Sequence, residues 1–258
     1  MTDELFDISG KVALVTGGSR GIGFMIARGY VEAGARVYVC SRNTQSCDAA
    51  AADLSRVGEC ISLPADLSKM EEVERVATDL AARESALHVL INNAGTAWGA
   101  NIDEFPQKGW DKVMDLNLKS PFFLLQKLLP LLEHAGRAED PARVINLGSV
   151  DGLHMPLFEN FSYAASKAAI HHLTRMLAYH LAARHICVNA IAPGYFDTDM
   201  TQPMIDSMGL DALMSIVPLK RMGDRDDVAG VAVFLAARAS AYITGVTLPV
   251  DGGLIGGS

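Results

Sequence analysis

The chain has 258 residues, half of them hydrophobic, which is enough to bury a large core. It carries 22 Lys and Arg against 30 Asp and Glu, and the net charge of −8 argues against general nucleic-acid binding but allows a local basic pocket. The acidic first residues lack a signal-peptide pattern and no apolar run is long enough to span a bilayer, so we expect a cytoplasmic protein without membrane contact. No linker or repeat divides the sequence, which predicts a single domain over residues 1–258.

Seven short apolar runs predict β-strands, with helical patterns between them. The runs are Val12–Val15, Arg36–Cys40, Cys60–Pro64, Val89–Ile91, Arg143–Leu147, Cys187–Ile191 and Val246–Pro249. Strands that alternate with helices predict a seven-stranded parallel sheet covered on both faces, which is an α/β, doubly wound Rossmann fold. Ligands bind such a sheet at the carboxyl ends of its strands. A candidate residue follows each of the first six runs, namely Gly17, Arg42, Asp66, Asn92, Ser149 and Pro193.

The first predicted strand leads into a glycine-rich turn, Thr16–Gly23, and a helical pattern from Phe24 to Ala33 follows it. Glycines in such a turn let the backbone approach a pyrophosphate, and the helix N-terminus offers free N–H groups to it. The turn could be only a tight loop, but its position between a strand and a helix favours dinucleotide binding. Its candidate cofactor-binding residues are Gly17, Ser19, Arg20, Ile22 and Gly23.

The second predicted strand ends in Ser41 and Arg42, without the acid that an NAD site places there to accept the ribose hydroxyls. Arg42 and Arg20 could bracket a ribose 2′-phosphate by charge-assisted hydrogen bonds. The other interpretation is two solvated surface arginines. The missing acid favours NADP(H) as the cofactor.

The two longest helical patterns span Trp110–Leu132 and Phe161–Ala183. Pro121 is expected to kink the first helix and Pro130 to end it. His171 and His172, in the second, are interpreted as surface or subunit-contact residues rather than ligands.

Tyr163 and Lys167 lie four residues apart in the second long pattern and therefore share a helix face. An ammonium beside a phenol favours the phenolate and lowers its pKa from about 10, so the pair could transfer protons near neutral pH. Such a pair can also be an ordinary surface contact. Ser149 could orient a substrate oxygen or could be a capping hydroxyl.

These segments occur in a fixed order: Thr16–Gly23, Asn92–Gly95, Asn117, Ser149, Tyr163 with Lys167, Pro193 with Gly194, and Asp251–Gly253. Over nearly its whole length the chain resembles the short-chain dehydrogenase/reductase family. Within it, the chain is most similar to 3-oxoacyl-thioester (acyl-carrier-protein) reductases, including the rhamnolipid-associated type. The chain departs from the family pattern at one point. Thirteen residues separate Ser149 from Tyr163, where the family usually has twelve.

The resemblance implies catalytic roles for Asn117, Ser149, Tyr163 and Lys167. Tyr163 would exchange a proton with the substrate oxygen, and Lys167 would also bind the nicotinamide ribose. Asn117 would bend its helix and hold a water that connects Lys167 to solvent. The implied cofactor contacts beyond the glycine-rich turn are Arg42, Asp66, Leu67, Asn93, Gly95, Tyr163, Lys167, Pro193 and Gly194. Asp66 could instead cap the following helix.

The resemblance further implies an NADPH-dependent carbonyl reductase that acts on a 3-oxoacyl thioester, with the acyl group on a carrier. The alternatives are a broad alcohol or polyol dehydrogenase and a non-catalytic nucleotide-sensing relative. A homotetramer is implied, and Ile170, Leu173 and Leu177 fit either its interface or the core. The methionine-rich segment at about 196–217 is expected to be a substrate lid, or simply a packed helix.

The four cysteines show no metal-ligand spacing, so no metal site is predicted. Cys40 and Cys187 fall in predicted strands and are expected to be buried thiols.

Overall fold

The computed structural model describes residues 2–156 and 158–257, and its centre is one parallel sheet of seven strands in the order β3-β2-β1-β4-β5-β6-β7. The strands are β1 Val12–Thr16, β2 Arg36–Cys40, β3 Cys60–Ser62, β4 Val89–Asn92, β5 Ala142–Leu147, β6 Ile186–Pro193 and β7 Thr247–Val250. Every neighbouring pair is parallel. The predicted α/β, doubly wound fold is confirmed, and each predicted strand overlaps an observed one.

Helices cover both faces of the sheet. They are α1 Thr2–Phe6, α2 Gly21–Glu32, α3 Thr44–Leu54, α4 Met70–Ala81, α5 Gln107–Met114, α6 Ser120–Ala135, α7 Phe161–Leu181, α8 Gln202–Met208, α9 Leu210–Ser215 and α10 Arg225–Ala236. Successive strand residues point to opposite faces, so Val15 joins the core under α2, α3 and α10 while Leu14 joins the core under α4 and α6. Two apolar cores thus hold the sheet rigidly between helical layers.

The first of the two long helical patterns is interrupted by one turn of π-helix at Asp115–Lys119, between α5 and α6. Pro121 lies at the start of α6, where a missing backbone N–H costs little. The prediction that Pro130 ends the helix is wrong, because α6 continues to Ala135. Pro130 faces solvent while Leu128 and Leu132 are fully buried, and this burial holds the helix together past the proline.

Within the described residues, no helix combines the length and apolar character needed to cross a membrane. All four cysteines are free and buried, as expected for Cys40 and Cys187.

Candidate active site

Because all strands are parallel, their carboxyl ends lie along one rim of the sheet, and the predicted residues follow those ends. Gly17 directly follows β1, and Pro193 is the last residue of β6. Asn92 is the last residue of β4, and Ser149 lies two residues beyond β5. The structure therefore places these residues along one rim, as expected from the sequence.

The glycine-rich turn has no space for side chains at its critical positions. Gly17 and Gly21 have φ of +66° and +54°, a region that L-residues with side chains rarely adopt. A Cβ on Gly23 would overlap the Gly17 carbonyl oxygen and the Asn93 side-chain nitrogen. The turn is therefore a backbone cradle at the start of α2, whose first N–H groups are free to bind an anion.

Asn93 braces this cradle from the neighbouring strand. Its Nδ2 donates to the carbonyl oxygens of Thr16 at 2.9 Å and Gly17 at 3.1 Å. The Thr16 hydroxyl in turn accepts from the backbone N–H groups of Asn93 and Ala94, each at 3.0 Å. This amide, expected to contact the cofactor, therefore also fixes the shape of the turn.

The two arginines expected at a 2′-phosphate have different surroundings. Arg20 forms an ion pair with Asp199 at 2.6 Å, and each side chain is 76% exposed. Arg42 is exposed after β2, and no acidic side chain in the described part of the chain pairs with it. Arg42 is therefore the freer of the two cations. Ser19 and Ile22 lie beside them, partly exposed in the turn.

Asp66 does not cap α4. Its carboxylate accepts from the backbone N–H and the hydroxyl of Ser68, at 3.2 and 2.8 Å, and the helix starts only at Met70. The next residue, Leu67, is only 5% exposed and belongs to the core. The capping alternative is therefore wrong, and the Asp66 carboxylate instead shapes a turn at the rim.

Tyr163 and Lys167 are both buried on α7. The Lys167 Nζ donates to the Leu147 carbonyl oxygen at 2.6 Å and lies 5.4 Å from the centre of the Tyr163 ring. Burial raises the pKa of Tyr163 to about 12, and a hydrogen bond with the Ser149 hydroxyl partly opposes that rise. The prediction that Lys167 lowers this pKa is wrong, because burial sets the direction and the ammonium lies over the ring.

Burial also lowers the pKa of Lys167 to about 8, and the charge of Asp151 partly opposes that shift. The ammonium therefore loses its proton far more readily than a surface lysine does. The protonated phenol and the readily deprotonated amine lie one helical turn apart.

Ser149 caps a short turn, as one interpretation of its role predicted, and it also contacts Tyr163. Its hydroxyl accepts from the Asp151 N–H at 3.1 Å and so caps the short 3₁₀ turn Val150–Gly152. The same hydroxyl bonds with Tyr163. A substrate oxygen placed beside both hydroxyls would meet two polarising groups.

Asn117 is buried in the π-helical turn and links the segment after β4 to α7. Its Oδ1 accepts from the Thr96 N–H at 2.9 Å, and its Nδ2 donates to the Thr96 carbonyl at 2.9 Å and to Ser166 Oγ at 3.0 Å. The Ser166 hydroxyl donates to the Tyr163 carbonyl at 2.7 Å. Gly95 lies directly against the Asn117 side chain. Asn117 therefore supports the helix turn that carries Tyr163.

Pro193 and Gly194 close the rim against the segment after β7. Gly194 donates to the Val250 carbonyl at 2.9 Å, and a Cβ on it would lie 2.7 Å from the Asp251 Cα. The Asp251 carboxylate accepts from the backbone N–H groups of Gly253 and Ile255, each at 2.9 Å. The two glycine-containing motifs thus pack on each other.

The segment at 196–217, here called the lid segment, carries α8 and α9. Phe196 and Val217 anchor its two ends in the core, and Leu213 is fully buried between them. Met200 and Met208 are 46% and 39% exposed. The segment therefore has three anchors and an open apolar surface.

Three residues near the site were not predicted from the sequence, namely Asn146, Thr174 and His171. Asn92 donates to Asn146 on β5, and Asn146 donates to Thr174 on α7, both at 2.9 Å. The signal was a polar residue inside an otherwise apolar strand run. His171 was expected to be a surface or subunit-contact residue, but it is 3% exposed behind Ser149. It follows Tyr163 and Lys167 at four-residue intervals, so the buried face of α7 includes it; His172 is exposed, as predicted.

Residues 17–255 match the family model described as enoyl-(acyl carrier protein) reductase. The chain belongs to the short-chain dehydrogenase/reductase family and is an oxidoreductase of that family.

Particular relatives narrow the comparison. The chain is 48% identical to the rhamnolipids biosynthesis 3-oxoacyl-[acyl-carrier-protein] reductase of Pseudomonas aeruginosa, over 96% of this chain and 97% of the relative. It is 35% identical to the gluconate 5-dehydrogenase of Gluconobacter oxydans, over 97% of each chain. The Pseudomonas aeruginosa RhlG/NADP active-site complex superposes with a TM-score of 0.94 at 47% identity, covering 97% of this chain and 98% of that one.

Proposed function

We propose that this protein reduces the 3-oxo group of an acyl thioester to a hydroxyl with NADPH. The carrying observation is the buried Tyr163 hydroxyl bonded to Ser149, on the same rim as a backbone cradle for a dinucleotide. The relative from Pseudomonas aeruginosa at 48% identity, a 3-oxoacyl-[acyl-carrier-protein] reductase, supports the substrate class.

The residues present fit the cofactor. The glycine-rich turn leaves no room for a Cβ on Gly23, so a pyrophosphate could contact backbone N–H groups directly. Arg42 would hold the 2′-phosphate, and Lys167 would reach the nicotinamide ribose. The bound cofactor would supply the hydride.

The chain itself handles the proton. With a pKa near 12, Tyr163 is protonated at neutral pH and can donate its proton to the oxygen that gains negative charge during reduction. Ser149 donates a second hydrogen bond and orients that oxygen. Lys167 is positive below about pH 8 and can then donate to the ribose hydroxyls of the cofactor. The protonation state therefore suits reduction better than oxidation.

Charge and surface character favour a neutral acyl substrate over a sugar acid. The Asp151 carboxylate acts electrostatically on Tyr163, Lys167 and Tyr195, so a negative charge faces the reacting groups. A gluconate-type substrate brings a second carboxylate and would be repelled. The exposed methionines of the lid segment suit an acyl chain of variable shape.

We also propose that the active form is a cytoplasmic homotetramer, with residues 1–258 as one domain and 196–217 as its lid. An apolar groove between α5, α6 and α7 supports the assembly; Leu118, Phe122, Leu173 and Met176 are among its residues. Ile170, in contrast, lies in the core at 2% exposure. Light scattering at micromolar protein tests the tetramer, and a monomeric mass would contradict it.

The test of function is a parallel assay of purified protein with NADPH, in which cofactor absorbance is followed with acetoacetyl thioester and with a 5-ketogluconate substrate. Faster turnover of the thioester supports the proposal. Faster turnover of the sugar acid would support the polyol alternative, and turnover of neither substrate nor of a wider ketone panel would indicate a non-catalytic protein.

A further inference from the structure

The geometry points to a positioning role for His171, an inference that rests on the proposed function. We propose that its neutral imidazole accepts the Ser149 N–H through Nε2 and thereby fixes the Ser149 hydroxyl relative to Tyr163. His171 follows Lys167 by one helical turn on the same buried face of α7.

The imidazole lies directly behind the catalytic serine. The Nε2 of His171 is 3.4 Å from the Ser149 backbone nitrogen, and the residue is 3% exposed. The chain before the serine is pressed against the same ring, because a Cβ on Gly148 would overlap Nε2. Only a glycine at 148 leaves room for this imidazole, so the two residues form one fitted pair.

The two backbone groups of Ser149 have different partners: its carbonyl oxygen accepts from the Gly152 N–H at 3.1 Å, and its N–H donates to the imidazole. Its hydroxyl is engaged with the Asp151 N–H at 3.1 Å and with Tyr163, while its own N–H has the imidazole as its partner. Loss of that acceptor would leave a buried N–H unpaired and let the residue rotate. A misplaced Ser149 hydroxyl should lower the rate of the reaction and leave the affinity for the cofactor unchanged.

The imidazole is suited to accept rather than donate. Burial, together with the neighbouring Lys167 charge, lowers the pKa of His171 to about 4. The ring is therefore neutral at physiological pH, and acceptance through Nε2 requires its proton to be on Nδ1. The Gly152 backbone partly opposes this lowering of the pKa. No described residue lies in position to form a hydrogen bond with Nδ1.

The test compares His171→Leu, which has no acceptor, with His171→Gln, whose side-chain oxygen can accept. His180→Leu serves as the matched control, because His180 is an exposed histidine on the same helix. We expect His171→Leu to lower kcat for acetoacetyl thioester roughly 10-fold to 100-fold, the scale of a misplaced catalytic group. NADPH affinity, measured by fluorescence titration, should change by less than about twofold, and His171→Gln should recover part of the rate.

A double mutant separates positioning from general damage. In a Ser149→Ala background, His171→Leu should cost little further rate, because the hydroxyl that it positions is already absent. An equal loss in both backgrounds, or an unchanged kcat in His171→Leu alone, overturns the proposal.

Nitrogen NMR of the unliganded protein gives an activity-independent measurement. It should show a neutral His171 with the proton on Nδ1, and a proton on Nε2 instead would also overturn the proposal. This result stands even if the wild type reduces no thioester, so failure of the proposed function is recognised separately.

Discussion

The glycine-rich turn at Thr16–Gly23 and the lid segment at 196–217 border the same rim but differ in how tightly they are packed. The turn has no space for one added carbon at Gly23, and Asn93 holds it with two hydrogen bonds. The lid segment keeps Met200 and Met208 exposed at 46% and 39%. A fixed cradle suits a cofactor of constant shape, whereas adaptable methionines suit substrates that vary. Small substitutions should therefore have large effects in the glycine-rich turn and small effects in the lid segment.

The largest effect is expected at Tyr163, on the rim that both regions border. Tyr163→Phe keeps the ring but removes the transferable proton, so kcat should fall by about 10²–10⁴-fold while NADPH affinity stays near that of the wild type. Steady-state kinetics and fluorescence titration measure the two quantities. The control is Tyr179→Phe, at an 83% exposed position on the same helix. Retention of more than about a tenth of the rate would exclude Tyr163 as the proton donor.

Arg42, which follows β2, tests the cofactor preference. A hydrogen bond to a charged group contributes about 1.5–3 kcal/mol, so Arg42→Ala should raise the NADPH KM roughly 10-fold to 100-fold and leave the NADH KM little changed. Arg56→Ala is the matched control, since Arg56 is 79% exposed after α3. Equal KM values for NADPH and NADH in the wild type would contradict the assignment.

The lowered pKa of Lys167 predicts a pH dependence. Reduction should be constant at neutral pH and fall about 10-fold by pH 9, because the ammonium is lost above a pKa of about 8. The unfolded chain holds this proton up to about pH 10.5, so it binds more protons than the folded protein between pH 8 and 10.5.

Stability follows from that difference. The free energy of unfolding of the wild type, relative to Lys167→Met, should rise with pH across this window and should be flat below it. Urea melts at several pH values measure it. A relative stability that falls across the window would show that the folded pKa of Lys167 is raised instead.

Gly23 gives the direct measurement of packing in the turn. Gly23→Ala should cost about 1–3 kcal/mol of stability by overpacking, and it should weaken NADPH binding. Gly230→Ala is the contrast, because a Cβ there meets nothing within 4 Å and lies in the exposed middle of α10. That variant should gain roughly 0.5–1 kcal/mol. Thermal melts measure both variants. Equal changes in Tm for Gly23→Ala and Gly230→Ala would show that Gly23 is no more tightly packed than Gly230.

The smallest effect is expected in the lid segment. Met208→Ser should lower kcat/KM for a long acyl thioester roughly 2-fold to 5-fold, through lost apolar contact, and leave acetoacetyl thioester unchanged. Val57→Ser, at a 46% exposed position after α3, should change neither. A uniform loss for short and long chains would mean that Met208 supports the fold rather than the substrate.

The strands and the rim could be predicted because buried apolar runs and the turn beside them are local properties of the sequence. The prediction that Pro130 ends its helix was wrong because the effect of a proline depends on which face of α6 is buried. The partners Asn146 and Thr174 depend on which strand lies beside which helix, and no local pattern gives that.

The direction of the Tyr163 pKa was also beyond the sequence. A four-residue spacing places Lys167 on the correct face but does not say whether its ammonium meets the ring or the hydroxyl. Burial, which the fold imposes, decides that pKa. The burial of His171 is a related case, because the four-residue spacing places it on the face of Tyr163 and Lys167 but does not say how far along the helix that face is covered.

The ion pair between Arg20 and Asp199 joins the two contrasting regions and makes their junction sensitive to ionic strength. Exposed pairs of this kind contribute about 0–1 kcal/mol, and physiological salt screens charges beyond about 8 Å. Breaking such a contact costs little energy. Dissolved salt should therefore change how fast the cofactor leaves more than how tightly the folded protein holds together.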